Sequence, residues 1–481
     1  MNYSQVTQGR IMPQIDHVVL LMLENRSLDN VLGWLYHGSQ PARVVPSDSS
    51  PQFNGLVAGR DFNEYRSFTG TTKLAVHTGT QGWPQPLRVP RLNPHEDYPN
   101  VKVQLFGDAT GKVGSRASMK GFAYNFDASY ETWTELGEVM GAYGERQLPI
   151  LYGLARSYGV SDRWFSSAPT QTNPNRAFAH CGTSLGRESN QRLSAREQFD
   201  CETVWNVLPE GDDWAIYYHD SAWQDGKCYT EYTFPKIDEA KQNGTIESIE
   251  AFYQLSSLPR FTFIEPAWGY GKGTPATFVG VQGNDYHPPT WCGPGEYFLN
   301  RVYEKLISLE CWRNTLFIVT FDEHGGTYDH VSPPLGAKKP DRHTGESGFQ
   351  FNRFGVRVPT LLVSPYVPES TVFRASGPTP FDHTSIISSL LKWRGVPSES
   401  WGLGNRVAAA PTFEAALSDT PRQDTPRFQV PSGYQSQGGG IKNFVNAAGL
   451  PTAVVKGIAD SPGTLEEVEA QLSTWPHTER A

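Results

Sequence analysis

Nowhere in the 481 residues does an apolar stretch approach the roughly 18 to 20 residues that a helix needs to cross a bilayer, the best run being Val18 to Leu23. A transmembrane helix is therefore not expected, which leaves peripheral contact as the expected form of any membrane association. The N-terminus, MNYSQVTQGRIMPQ, lacks both a basic start and the apolar stretch of about 7 to 15 residues that marks a secretory leader. The compartment is left open between cytoplasmic and exported. Basic residues are also in deficit: 41 Lys and Arg face 50 Asp and Glu, for a net charge of -9. Such a surface repels phosphate polymers on average, so nucleic acid is not an expected partner. The five cysteines (Cys181, Cys201, Cys228, Cys292, Cys311) form no CxxC pair, which argues against a structural zinc knot. One disulfide or none fits that number equally well. No internal repeat is visible.

Hydrophobic residues at 38% and aromatics at 12% supply one large core or two modest domains. Short apolar runs alternate with segments of helical period, which predicts an α/β fold: a mostly parallel sheet with helices on both faces. The predicted strands are His17–Leu23, Arg260–Ile264, Thr315–Phe321 and Pro359–Val363, each compact, apolar and bounded by polar or turn residues. The predicted helices are Glu145–Ser157, Glu296–Leu309 and Thr384–Trp393. Residues 38–118, rich in Gly, Pro, Ser and Thr, read as long loops shaping a substrate mouth. The boundary falls at residue 410. Residues 411–481 read as a C-terminal arm packing on the core or on another subunit, with a short helix near Thr464–Leu472.

Three segments carry chemistry. The first strand delivers Glu24 and Asn25 just past its C-terminal end, the edge where open α/β sheets bind ligands. Taken alone, the pair equally reads as a turn capping the next helix. The strand Thr315–Phe321 runs into Asp322-Glu323-His324-Gly325-Gly326, followed by His330. Two adjacent acids at a sheet mouth resist ionising together unless a cation lies between them. Oxygen donors favour Ca²⁺, while Mg²⁺ or Mn²⁺ also fit and the neighbouring histidines keep Zn²⁺ in play. The third segment, Ala168-Pro169-Thr170-Gln171-Thr172-Asn173-Pro174-Asn175-Arg176, leads into a helix expected from Ala177 and offers a hydroxyl beside an anion-binding helix start. Thr172 by itself reads as a helix cap; the acidic clusters raise its interest.

These segments, together with FDHTSIISSLLKW at 381–393, resemble the phosphoesterase family of bacterial phospholipases C, plant non-specific phospholipases C and related bacterial acid phosphatases. The matching stretches keep the family's order from residue 16 to 393. The resemblance implies an alkaline-phosphatase-like core as the catalytic domain (residues 1–410). It also implies one divalent metal ion held by Glu24, Asn25, Thr172, Asp322 and Glu323, with Thr172 as nucleophile and Thr170 as the alternative if the loop register differs. His383 then stands as the leading histidine outside the DEHGG segment, and His287, His324, His330 and His95 as further catalytic candidates. Asn25 and Arg176 are expected to touch substrate. The implied activity is phospholipase C-type hydrolysis through a phosphothreonine, on a phosphatidylcholine-like lipid or, alternatively, acid-phosphatase-type hydrolysis of small phosphate esters. An aromatic box for choline would draw on Trp34, Tyr124, Trp133, Tyr286 or Trp291. A sulfatase shares the x-Pro-x-Arg spacing after its nucleophile, but the β-methyl of threonine blocks the aldehyde that sulfatases need. A binder without turnover is disfavoured by retention of all five proposed ligands.

Overall fold

The computed structural model describes residues 11–67, 70–78, 89–90, 92–107, 116–130, 137–190, 199–219, 227–272, 279–281 and 283–434. A nine-stranded sheet organises them. In chain order its strands are β1 (His17–Leu23), β2 (Arg43–Val45), β3 (Gly159–Ser161), β4 (Trp214–Tyr218), β5 (Gly244–Ser248), β6 (Phe261–Glu265), β7 (Thr315–Phe321), β8 (Thr360–Val363) and β9 (Thr371–Phe373). Their order across the sheet is β2-β9-β3-β8-β7-β1-β6-β4-β5. Only β8 runs antiparallel to its neighbours β7 and β3; the remaining pairs are parallel. The fold is thus α/β with a mostly parallel sheet, as the alternation of apolar runs and helical periods predicts.

The central strands explain why the core is stable. Side chains of alternate residues in a strand point to opposite faces, and Val18 through Leu23 are all essentially inaccessible, so both faces of β1 are covered. Burying each such side chain stabilises the fold by about 1.5–3 kcal/mol before entropy is counted. Helix α1 (Leu28–Leu32) follows β1, with the Ser27 hydroxyl capping it by accepting from the Asn30 amide. The Trp393 indole donates to the Ile15 carbonyl at 2.9 Å, so a helix near the end of the core anchors the entry to the first strand.

Residues 38–118 depart from the loop expectation. They contain helix α2 (Tyr98–Phe106) and the antiparallel strand pair Phe62–Ser67 and Gly70–Ala75. The helix has a local cause: the Asp97 carboxylate accepts from the Asn100 amide at 3.0 Å, and Pro99 sits in the first turn, where its missing N–H costs nothing. Val101 and Leu105 then join Leu92, Met119, Phe122 and Tyr328 in a second apolar cluster. Proline and aspartate here mark a helix start rather than a loop.

Helices α3 (Pro149–Ser157), α4 (Thr172–Cys181), α5 (Gly293–Ser308) and α6 (Thr384–Trp393) complete the framework. The predicted helix from Glu145 starts four residues later, at Pro149, and the one expected from Ala177 starts earlier, at Thr172. No cysteine is in a disulfide. Residues 411–434 run along the core: the Ser418 and Arg422 amides donate to the Tyr366 and Pro365 carbonyls, both at 2.7 Å, and the Phe428 ring lies 5.6 Å from that of Tyr303. The expected helix near Thr464–Leu472 lies outside the described residues. No helix among those described is long and apolar enough to cross a membrane.

Candidate active site

Register places the site. Leu23 of β1 is level with Phe321 of β7, so the residues that follow, Glu24 and Asp322, emerge side by side, and the Asp322 amide donates to the Leu23 carbonyl at 3.1 Å. Thr172 opens α4 against them. Its hydroxyl donates towards Glu24 Oε2 at 3.2 Å and Asn25 Oδ1 at 3.3 Å. Arg176, one turn along the same helix, donates from Nε and Nη2 to Glu24 Oε1 at 3.0 and 2.7 Å, and its Nε lies 3.5 Å from Asp322 Oδ2. Glu24, Asn25, Thr172, Arg176 and Asp322 are therefore brought together from three distant segments, all buried, and Glu323, also buried, follows Asp322 with its Oε2 accepting from the Gly325 amide at 2.7 Å. Thr170 is occupied elsewhere, its hydroxyl donating to the Glu188 carbonyl.

Two loops lock onto each other to hold this arrangement. Asn25 takes a left-handed φ of 55°, which asparagine tolerates, and its amide donates to Asp322 Oδ1 at 3.0 Å. Gly325 also has a left-handed φ, of 59°, and a Cβ there would stand 2.0 Å from the Asn25 carbonyl oxygen. Only glycine permits that approach. Gly325→Ala is expected to lower Tm, by about 4–8 °C per kcal/mol in a domain of 60–100 residues and by less in one this large, and to lower activity on a soluble phosphate ester more steeply than stability. Calorimetry and a colorimetric assay check this; full activity would show that the Asn25 loop can shift without consequence.

The histidines divide by contact. His287 donates from Nδ1 to the Pro288 carbonyl at 2.5 Å, which leaves Nε2 to accept from the Asn25 side-chain amide at 2.9 Å. That bond turns the Asn25 oxygen towards Thr172. His383 donates from Nε2 to the Asp322 carbonyl at 2.5 Å, while its buried Nδ1 has no hydrogen-bond partner. His324 reaches Gln104 Oε1 at 2.8 Å through Nε2, and its Nδ1 lies 3.3 Å from Glu323 Oε2. Burial holds all three neutral, pushing His287 down to about 4, His324 down to about 3 and His383 below its usual value. His95 is exposed, and its backbone carbonyl accepts from Gln104 at 2.6 Å.

The acids are under electrostatic pressure. Burial, then the neighbouring Asp322, pushes the carboxyls of Glu24 and Glu323 well above the usual range. Buried atoms Asp322 Oδ2 and Glu323 Oε1 have no hydrogen-bond partner, and neither does Arg176 Nη1. Buried polar atoms are rarely left so without a reason. An all-oxygen set with a surplus of negative charge fits a hard divalent cation.

Several participants escaped the sequence reading. Burial raises Glu96 to about 7, and its charge bears on Glu323. Its carboxylate accepts from the Gln171 amide at 3.1 Å, next to Thr172; the signal was an acid directly after His95. Asp285, also pushed up to about 7 by burial, accepts from the His287 and Gly269 amides. Trp268 lies under the Arg176 guanidinium at 4.5 Å. It is a ring beside the site, whereas Tyr286 is buried with its hydroxyl on Glu296 and Trp133 lies outside the described residues.

His330 stands in a different cluster. After the Gly325-Gly326 turn the chain carries it to Asp29, whose Oδ2 lies 2.6 Å from His330 Nδ1. Asp29, Asp329 and His330 have ligand atoms close enough for one ion. Arg357, fully buried, already supplies the positive charge, donating to Asp29 at 2.9 Å and Asp329 at 3.0 Å, so the group reads as an ion-pair network. Burial opposes the charge on His330 and the Asp29 carboxylate more than restores it, raising the imidazole above its usual value. A raised histidine contributes stability that is full below about pH 6.5, the unfolded value. That contribution fades as pH climbs through the higher folded value. The Tm deficit of His330→Asn should therefore shrink as pH rises above about 6.5; a deficit that grows with pH would show the imidazole is held neutral.

The chain is a hydrolase acting on phosphoric ester bonds, built on an α/β sheet whose strand ends carry this site. It belongs to the phosphoesterase family, whose model matches residues 15–397. Non-specific phospholipase C6 of Arabidopsis thaliana is 32% identical over 439 residues, covering 88% of this chain and 76% of the relative. Non-specific phospholipase C1 of the same plant is 31% identical, with 87% and 74% covered. Hemolytic phospholipase C of Pseudomonas aeruginosa is 25% identical, with 80% of this chain but 53% of the relative covered. A solved Vibrio parahaemolyticus protein in the alkaline phosphatase superfamily is similar at a TM-score of 0.30 and 16% identity, over 56% of this chain and 65% of that one, a likeness that carries no argument about the site.

Proposed function

We propose that this protein cleaves glycerophospholipids as a phospholipase C, through a phosphothreonine on Thr172 and with one divalent metal ion. The observation that carries the proposal is the buried Thr172 hydroxyl, directed at oxygens of Glu24 and Asn25 next to the Asp322 and Glu323 carboxylates, each of which has one oxygen without a hydrogen bond. Glu24, Asn25, Asp322, Glu323 and the Thr172 hydroxyl would hold the ion. When bound, it would supply Lewis-acid stabilisation of phosphoryl charge and lower the pKa of the hydroxyl.

The chain's own groups would do the rest. Thr172 Oγ1 attacks phosphorus and gives up its proton, and the bond from phosphorus to the glycerol oxygen breaks as that oxygen gains one. His383 would carry the proton on Nδ1, the nitrogen left without a partner. Arg176, braced by Glu24 and Trp268, keeps Nη1 for a phosphoryl oxygen. Water then cleaves the P–Oγ1 bond and releases the phosphorylated head group. His287 acts at one remove by orienting Asn25.

The expected result with p-nitrophenyl phosphorylcholine is hydrolysis that EDTA abolishes and a divalent cation restores. Activity indifferent to EDTA would sink the metal. Preference for p-nitrophenyl phosphate over the diester would place the protein with phosphomonoesterases acting on soluble substrates through the same site.

A further inference from the structure

We propose that a cleft outside the Thr172 site, lined by Arg60, Arg116, Arg163, His330, Pro334 and Leu335, is where the protein takes the phosphate of an anionic phospholipid at a bilayer surface. The cleft encloses about 620 Å³. Its composition is unexpected in a chain of net charge -9, because three arginines and a histidine converge on it. Compensating acids are few. Asp61 accepts from Arg60 at 2.9 Å and Asp29 from His330 at 2.6 Å, which offsets those two. Arg116 and Arg163 are exposed, no acid is among the residues that line the cleft, and neither arginine is in an ion pair among the described residues. Exposed guanidinium groups can take phosphate oxygens in a forked geometry.

A second observation points to a membrane rather than to a free anion. Among the described residues the exposed large hydrophobic side chains are Val57 and Leu335, at 43% and 54%. Leu335 lines the cleft, and Val57 shares a turn with Arg60, whose amide donates to the Val57 carbonyl at 3.1 Å. Cationic groups flanked by exposed aliphatic side chains are the composition that partitions into the headgroup region, with charge meeting anionic lipid and the aliphatic groups entering the acyl boundary. The wall formed by Ser332-Pro333-Pro334 belongs to the same chain segment that begins at Asp322, so the cleft is built on an extension of the candidate active-site loop. Prolines fix φ and stiffen that wall.

The test is co-sedimentation of the full chain with vesicles of phosphatidylcholine alone and of phosphatidylcholine mixed with phosphatidylglycerol. Wild type is expected to partition onto the mixed vesicles and not onto the neutral ones. Arg116→Ala combined with Arg163→Ala should weaken that partitioning about twenty-five-fold, since each arginine near an anionic surface contributes about fivefold. Leu335→Ser should weaken it by up to about tenfold. Hydrolysis of soluble p-nitrophenyl phosphorylcholine should be the same in all three proteins, which shows that they fold and keeps this inference separate from the reading of Thr172. Equal partitioning of wild type and the double variant would overturn the proposal, as would indifference of wild type to phosphatidylglycerol. Calorimetric binding of inorganic phosphate that the arginines control, without vesicle binding, would overturn it in favour of a free-phosphate site.

Discussion

Thr172→Ala is expected to leave a folded protein whose turnover of p-nitrophenyl phosphorylcholine falls by at least about 10⁴-fold, the scale on which removal of an attacking hydroxyl acts in other hydrolases. The fold should survive because little depends on this hydroxyl structurally. Its two hydrogen bonds, at 3.2 and 3.3 Å, are long, and Glu24 is held independently by Arg176. Losing them costs about 1 kcal/mol, partly returned by alanine's higher helix propensity at the start of α4. Thr172→Ser should keep measurable activity, since serine retains the oxygen. A phosphoryl group on the peptide containing Thr172, trapped by acid quench of wild type and found by mass spectrometry, would identify the intermediate. Retained turnover in Thr172→Ala would remove the hydroxyl from the mechanism. Thr170 could not take its place without breaking the bond from its hydroxyl to the Glu188 carbonyl.

The parts of the molecule that were legible in the sequence are those whose burial is continuous. β1 and β7 are apolar on both faces, so their limits, His17–Leu23 and Thr315–Phe321, follow from composition alone. The same holds for α6, whose apolar residues recur at helical spacing from Thr384 to Trp393. Strands β2, β3 and β9 have three residues each, too few to show a period, and are ordered by their neighbours in the sheet. Proximity in sequence also misleads in one place. His324 and His330 lie six positions apart, yet positive φ at Gly325 and Gly326 turns the chain so that one ring approaches Glu323 and the other pairs with Asp29. The partner that defines the second group, Arg357, lies 28 residues beyond Asp329, and no local pattern announces it. Glu96 was hidden for a related reason: its influence on Glu323 and its bond to Gln171 both cross between segments far apart in the chain.

Asp322→Asn separates the electrostatic role of the site from its structural one. In the wild type, Asp322 Oδ1 accepts from the Asn25 amide at 3.0 Å and the Glu323 amide at 2.7 Å, work that the amide oxygen of asparagine can continue. What disappears is a negative charge that helps to push the Glu24 and Glu323 carboxyls upward. Without a cation the variant should therefore be at least as stable as wild type, because a buried like-charge conflict is relieved while Arg176, which loses only a 3.5 Å ion pair with Oδ2, keeps its bonds to Glu24. With a cation the order should reverse. A ligand bound only to the folded state stabilises it by about 2.7 kcal/mol at a hundredfold excess over its Kd, and that gain should appear in wild type and be missing in the variant. The expected record is a Tm that rises on adding the cation for wild type alone, with metal content and phosphodiester hydrolysis lost together in Asp322→Asn. An equal rise in both proteins, or unchanged metal by elemental analysis, would mean that the unpartnered carboxylate oxygens serve some purpose other than holding an ion.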